Sequence, residues 1–208
     1  MSNISNMFIN AVLADAAYAD DLTDGLSGAG LILALNKRMS PTLAKFISDN
    51  FVVVAHRESN DVIGSGFDAT VWRGVGTAYA GQIFVSMQGT EGLQDFLTDA
   101  NLALPFSAAR RQLVAMVNWW NLITTPTNVL VTQIQETSLA DVLGFSQTPA
   151  LSLYGTGLLT NASSVQVNGH SLGGHLASAF ARLFGDRAGG VAIISGVRVT
   201  VISMNAYH

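Results

Sequence analysis

Val165-Gln-Val-Asn-Gly-His-Ser171-Leu-Gly-Gly-His-Leu-Ala-Ser-Ala-Phe180 is the stretch on which the fold turns. Val165-Gln-Val-Asn168 predicts a short strand, and Leu172 to Phe184 predicts a helix. Between them stands Gly169-His170-Ser171-Leu172-Gly173, a G-x-S-x-G at a strand-to-helix turn, which is the context that motif requires. A serine in so sharp a turn needs glycine two positions to either side, because backbone and neighbouring elements pass too close for side chains. Such a turn holds Oγ above the end of a sheet and beside a helix N-terminus. Main-chain N–H groups there can stabilise a developing oxyanion.

Outward from this turn, helices and strands alternate. Asn3 to Asp20 is Ala-rich without Gly or Pro and predicts a helix; Gly25-Leu-Ser-Gly-Ala-Gly30 predicts a loop. Ser40-Pro41 opens a second helix, with Ser as the cap and Pro at the first helical position. Phe51–His56, Phe67–Trp72 and Gln82–Met87 are β-branched and aromatic and predict strands. Helices are expected at Ser107–Trp120 and from Asn128 to Leu143, irregular chain over Gly144–Ser164, and β-rich pieces from Val191 to Met204. This order predicts one α/β domain over residues 1–208 with a mostly parallel sheet and flanking helices.

Composition narrows the function. With Lys+Arg at 10 against Asp+Glu at 14, no basic surface is available to neutralise a phosphate backbone, which argues against a nucleic-acid partner. The count of zero cysteines removes disulfides, thiolate catalysis and cysteine-held metal sites. No run of about 18 apolar residues exists, so no spanning helix is expected, and no metal or other cofactor is assigned. Charged residues are 12% of the chain and apolar residues 49%. That balance fits a well-buried α/β core, a surface that meets lipid, or a surface covered by further protein. Met1 to Phe8 has neither the basic start nor the long apolar core of a secretory signal peptide.

A second segment bears on Ser171. Gln88-Gly89-Thr90 follows the strand Gln82–Met87, and Asp95-Phe96 and Asp99 come after it. Together with Gly169-His-Ser-Leu-Gly-Gly174, these residues resemble the class-three lipase family of α/β-hydrolases, serine esterases that cleave acylglycerols and phospholipids. There a strand leads to Arg-Gly-Thr or Arg-Gly-Ser, an Asp–aromatic pair and a further Asp follow, and Gly-His-Ser-Leu-Gly-Gly comes later. Leu13-Ala-Asp-Ala-Ala-Tyr18 fits the Ala-rich start loosely, and Gln88 stands where the family carries arginine. The resemblance spans about residues 10 to 205. It implies an α/β-hydrolase-like fold, Ser171 as nucleophile, Thr90 and Leu172 as oxyanion donors through their main-chain N–H groups, a lipid-ester substrate met at a lipid interface, and an extracellular location.

The acid and the base are harder to find. Family order puts both after the nucleophile, on later strand-end loops. Here only residues 172–208 follow, with Asp186 as their sole acid and His175 and His208 as their histidines. Asp186 falls at the N-terminal ends of the strands, the wrong side of an open sheet for a site. His175 is one turn into the helix and reads as packing. His208 follows a strand and so stands at the correct end, but as the last residue it is weakly held. The expectation is therefore a lipase-like domain incomplete at its C-terminal end, its acid and base supplied by further C-terminal sequence or by a second chain. The other reading is a catalytically silent hydrolase-fold module that binds lipid or a partner protein. His56 reads as an ordinary sheet residue and Trp119-Trp120 as core. Gly144–Ser164 reads equally as a mobile apolar lid or a packed insertion, and Asn161-Ala-Ser163 as a glycosylation acceptor.

Overall fold

The structure is a computed structural model and describes residues 3–58, 65–89, 103–135, 149–160, 162, 164–184, 192–194 and 197–204. In chain order the elements are α1 (Asn3–Ala16), α2 (Gly28–Leu35), α3 (Pro41–Asn50), β1 (Phe51–Arg57), β2 (Ala69–Gly74), β3 (Ile83–Met87), α4 (Ala103–Thr124), β4 (Leu130–Thr132), β5 (Ser152–Tyr154), β6 (Ser164–His170), α5 (Leu172–Phe184), β7 (Ala192–Ile194) and β8 (Val197–Met204). The chain divides into two compact units, residues 1–99 with 162–208 and residues 100–161.

The first unit is mixed α/β, built on a six-stranded sheet in the order β1-β2-β3-β6-β8-β7. The expected mostly parallel sheet is corrected here. Pairs β1–β2, β2–β3 and β7–β8 are antiparallel, and only β3–β6 and β6–β8 are parallel. Connection length is the reason. Residues 75–82 join β2 to β3, and a parallel crossover needs about a dozen residues or more. The parallel centre is the part that carries the serine turn.

Each face of the sheet has its own cover. Trp72, Phe84 and Gln166 are register partners and share a face, and Asn10 of α1 bonds to Gln166, so α1 lies on that side. Ile9, Leu13 and Ala16 of α1, Leu31 and Leu35 of α2 and Ala44 and Ile47 of α3 form one buried cluster with Phe51, Val53, Trp72 and Phe84. Gly169 is out of phase with Gln166 and meets α5 on the other side. There α5 buries Leu176, Ala177, Phe180 and Phe184, and the last two rings meet at a tilt of 57° with centroids 4.7 Å apart. A fully buried Leu or Phe contributes about 1.5–3 kcal/mol by removal from water, so these two apolar seams hold the layers together.

Two local expectations also change. The Gly-rich stretch is not loop throughout, for α2 begins at Gly28, because burial of Leu31, Ala34 and Leu35 at i, i+3 and i+4 overrides the glycines. Asn128–Leu143 is not one helix. Leu130–Thr132 pairs antiparallel with Ser152–Tyr154 in the second unit, as the β-branched Val131 and Thr132 favour. Residues 136–148 of the expected helix and insertion lie outside the described residues. Two other local expectations hold. Ser40 caps α3 by accepting from the Leu43 N–H at 3.4 Å, and Trp119 and Trp120 of α4 are buried. No helix among the described residues is long and apolar enough to cross a membrane.

Candidate functional site

Ser171 stands between the last residue of β6 and the first of α5, with φ at +56°. A non-glycine residue in the left-handed region is strained, and such strain persists only where the surroundings impose it. Here the surroundings are backbone. A Cβ on Gly173 would come within 2.0 Å of the Met87 carbonyl oxygen, and one on Gly169 within 2.3 Å of the Gly173 carbonyl group. Both glycines of the motif are thus fixed by contact between main chains, not by loop flexibility. The Gly174 N–H donates to the Ser171 carbonyl at 3.0 Å and closes the first turn of α5. Ser171 is exposed at the C-terminal ends of β3 and β6, which run parallel.

The end of β3 meets this turn closely. A Cβ on Gly89 would lie 3.1 Å from both the His170 carbonyl oxygen and the Leu172 nitrogen. Leu172 is the first residue of α5, so its N–H has no helical acceptor behind it. The structure therefore brings together Ser171, Leu172 and the Gln88-Gly89 strand end. Thr90 lies outside the described residues, as do Asp186 and His208. β8 pairs with β6 in parallel register and ends at Met204, opposite His170.

The remaining expectations divide. His175 is exposed, so its reading as a packing residue is corrected: the buried side of α5 is carried by Leu176, Ala177 and Phe180. His56 is a sheet residue, with Nδ1 3.0 Å from the Thr70 hydroxyl. Burial holds the His56 imidazole below its ordinary value, against the opposing pull of the Glu58, Asp68 and Asp24 carboxylates. Gln88, the residue in place of arginine, donates its side-chain amide to the Ala17 carbonyl just past α1. No group of three or more metal-binding side chains stands among the described residues.

Sequence reasoning passed over two features. One is an amide ladder: Asn10 donates to Gln166 Oε1 at 3.0 Å, Asn168 donates to Asn10 Oδ1 at 2.9 Å, and Gln166 donates to Gln82 Oε1 at 3.2 Å. Asn10 and Asn168 are fully buried, three and more residues below the serine turn. The other is Tyr18, which the sequence offers only as the end of an Ala-rich helix. Its hydroxyl accepts from the Gly89 N–H at 2.6 Å. Neither has a local spacing signal, because each joins residues more than 70 apart in the chain. Comparison with family models, with curated proteins and with solved structures gave no match, so these contacts carry the functional reading.

Proposed function

We propose that this chain is a serine hydrolase of α/β-hydrolase type that cleaves carboxylic esters of lipids through an acyl-Ser171 intermediate. The observation that carries the reading is the positive φ of Ser171, imposed by two glycines whose Cβ positions are occupied by neighbouring backbone. A strained, exposed serine between a parallel strand and a helix N-terminus is what nucleophilic acyl transfer requires. Resemblance to the class-three lipases supplies the substrate class, the extracellular location and the role of Thr90.

In this reading Ser171 Oγ attacks the acyl carbonyl, and its proton passes through a general base to the departing alcohol. The tetrahedral oxyanion is met by the Leu172 and Thr90 main-chain N–H groups. Water then attacks the acyl-serine ester, releases the carboxylic acid and returns the proton to Ser171 Oγ. His208, four positions after the strand that ends opposite His170, is the histidine this reading offers as base. An acyl-serine cycle needs no cofactor.

The test is hydrolysis of p-nitrophenyl butyrate and laurate by the purified chain, with fluorophosphonate labelling alongside. Ser171→Ala is expected to remove labelling and to lower turnover by about 10³-fold or more. Labelling that persists in Ser171→Ala overturns the assignment. A wild-type chain that neither labels nor turns over ester favours the silent, ligand-binding module instead.

A further inference from the structure

In a parallel pair each strand leans on its neighbour's ladder, and at this site the ladder runs out. Met87 opposite Gly169 is the last β3–β6 register pair, because β6 bends into the serine turn immediately afterwards. The next donor on β3, the Gly89 N–H, and the next acceptor on β6, the His170 carbonyl, do not bond each other. Tyr18 bridges them: its hydroxyl accepts from Gly89 N at 2.6 Å and donates to the His170 carbonyl at 3.4 Å. One phenol oxygen thus stands in for a missing rung.

The phenol is itself held. The Arg38 guanidinium lies 4.8 Å from the Tyr18 ring centroid, and Arg38 is bound to the Asp15 carboxylate at 2.8 and 3.1 Å and to the Asp15 carbonyl at 2.8 Å. One residue earlier, the Ala17 carbonyl accepts from the Gln88 side chain. Consecutive residues past α1 therefore pin consecutive residues past β3. The Gly89 N–H and the Tyr18 oxygen are in direct contact, and a Cβ on Gly89 would come within 3.2 Å of that oxygen.

We propose that Tyr18 is a positioning residue whose hydroxyl splices the end of β3 to the serine turn. Its effect on rate rests on the ester-hydrolase reading of Ser171. Because Tyr18 occupies the Gly89 N–H, that group is withdrawn from the oxyanion, and the Gln88–Gly89 peptide plane is fixed immediately before Thr90. The separation between the β3 end and the Leu172 N–H is then set by Tyr18 and not by loop motion. Preorganised donors of this kind lose their effect when displaced by about 1 Å, at a loss of about 10²-fold in rate.

The experiment uses Tyr18→Phe in the whole chain, which keeps the ring beneath Arg38 and removes only the hydroxyl. Three quantities are read: kcat and KM for p-nitrophenyl butyrate, the thermal midpoint, and amide hydrogen exchange at Gly89. The splice predicts a fall in kcat of about 10- to 100-fold with KM changed less than about twofold, a midpoint lower by only about 2–4 °C as one hydrogen bond is lost, and Gly89 exchange about tenfold faster. Unchanged kcat in an active protein overturns the proposal. So does a loss confined to the midpoint, which marks a purely structural role. Where the wild-type chain shows no turnover, the hydrolase reading of Ser171 fails by itself. Gly89 exchange then decides the splice, with acceleration in Tyr18→Phe supporting it and no change overturning it.

Discussion

The two faces of β6 solve the same packing task by opposite means. Val165, Val167 and Gly169 turn toward α5, where the approach is so close that a single added carbon meets backbone at 2.3 Å. Gln166 and Asn168 turn toward α1, where side-chain amides reach across at 3.0 and 2.9 Å and hold the helix at a distance. The first face fixes main-chain atoms and so fixes the φ of Ser171. The second fixes the height of α1 over the sheet, and with it the position of Tyr18 against the end of β3. Close contact tolerates no new atom; a hydrogen-bonded gap tolerates no missing one.

The largest effect expected from this contrast is on the α5 face. Gly173→Ala would place a methyl carbon 2.0 Å from the Met87 carbonyl oxygen, where its nearest neighbours are all main-chain atoms of Met87 and Gln88 and no flexible side chain can give way. We expect a loss of about 3 kcal/mol or more, seen as a lower denaturation midpoint, and the loss of any fluorophosphonate labelling. Gly81→Ala is the control. Unlike Gly173 it has positive φ, at +74°, and nothing lies within 4 Å of its added carbon. Its cost is backbone strain alone, about 1 kcal/mol. Equal effects at the two glycines would break the distinction between contact and conformation.

On the α1 face the expected loss is smaller and, unlike the first, repairable. Asn10→Leu leaves the buried Asn168 amide and the Gln166 carbonyl oxygen without their partner, at about 1–3 kcal/mol. Asn168 Oδ1 already has no hydrogen-bond partner, so the pair is not fully satisfied at the start. Adding Asn168→Leu removes both halves of that bond, and the double variant is expected to lose less stability than the sum of the two single losses. Denaturation of the four proteins forms the cycle. Strict additivity would show that the amides are neighbours without coupling.

The α5 face was legible in the sequence and the α1 face was not, for a physical reason. Contact between β6 and α5 is local: strand, turn and helix are consecutive, and Gly169, Ser171 and Gly173 carry their requirement in a five-residue spacing. Helix α5 appears with the expected bounds, Leu172–Phe184. The Asn10–Asn168 bond joins positions 158 apart, and an isolated Asn in an Ala-rich helix gives no sign of its partner. Tyr18 was hidden the same way. Sheet direction failed on a different count. Strand-like composition at Phe51–His56, Phe67–Trp72 and Gln82–Met87 says where strands run, whereas connection length decides parallel from antiparallel. At Leu130–Thr132 a short apolar run was open to either period, and pairing with Ser152–Tyr154 settled it.

The smallest effect concerns how far the polar character of the α1 face extends. His56, Thr70, Ser86 and Asn168 are successive register partners, so one polar row crosses the sheet from the edge strand β1 to β6. Thr70, Ser86 and Asn168 are fully buried, and Ser86 Oγ accepts from Trp72 Nε1 at 3.1 Å. His56 closes the row with its ring nitrogen 3.0 Å from the Thr70 hydroxyl, and burial lowers its pKa from the usual 6.5. In the unfolded chain His56 takes up a proton near pH 6.5, while in the folded chain it resists until the pH is lower. Between those two values the unfolded state binds more protons, so stability rises with pH there. The contribution is therefore complete above pH 6.5 and disappears as the pH falls through the folded value. Urea denaturation from about pH 8 to about pH 5 should give a midpoint that falls below pH 6.5 in the wild type and falls less in His56→Asn, which retains a polar atom for Thr70. Parallel curves for the two proteins would place the end of the buried row at Thr70, leaving His56 outside it.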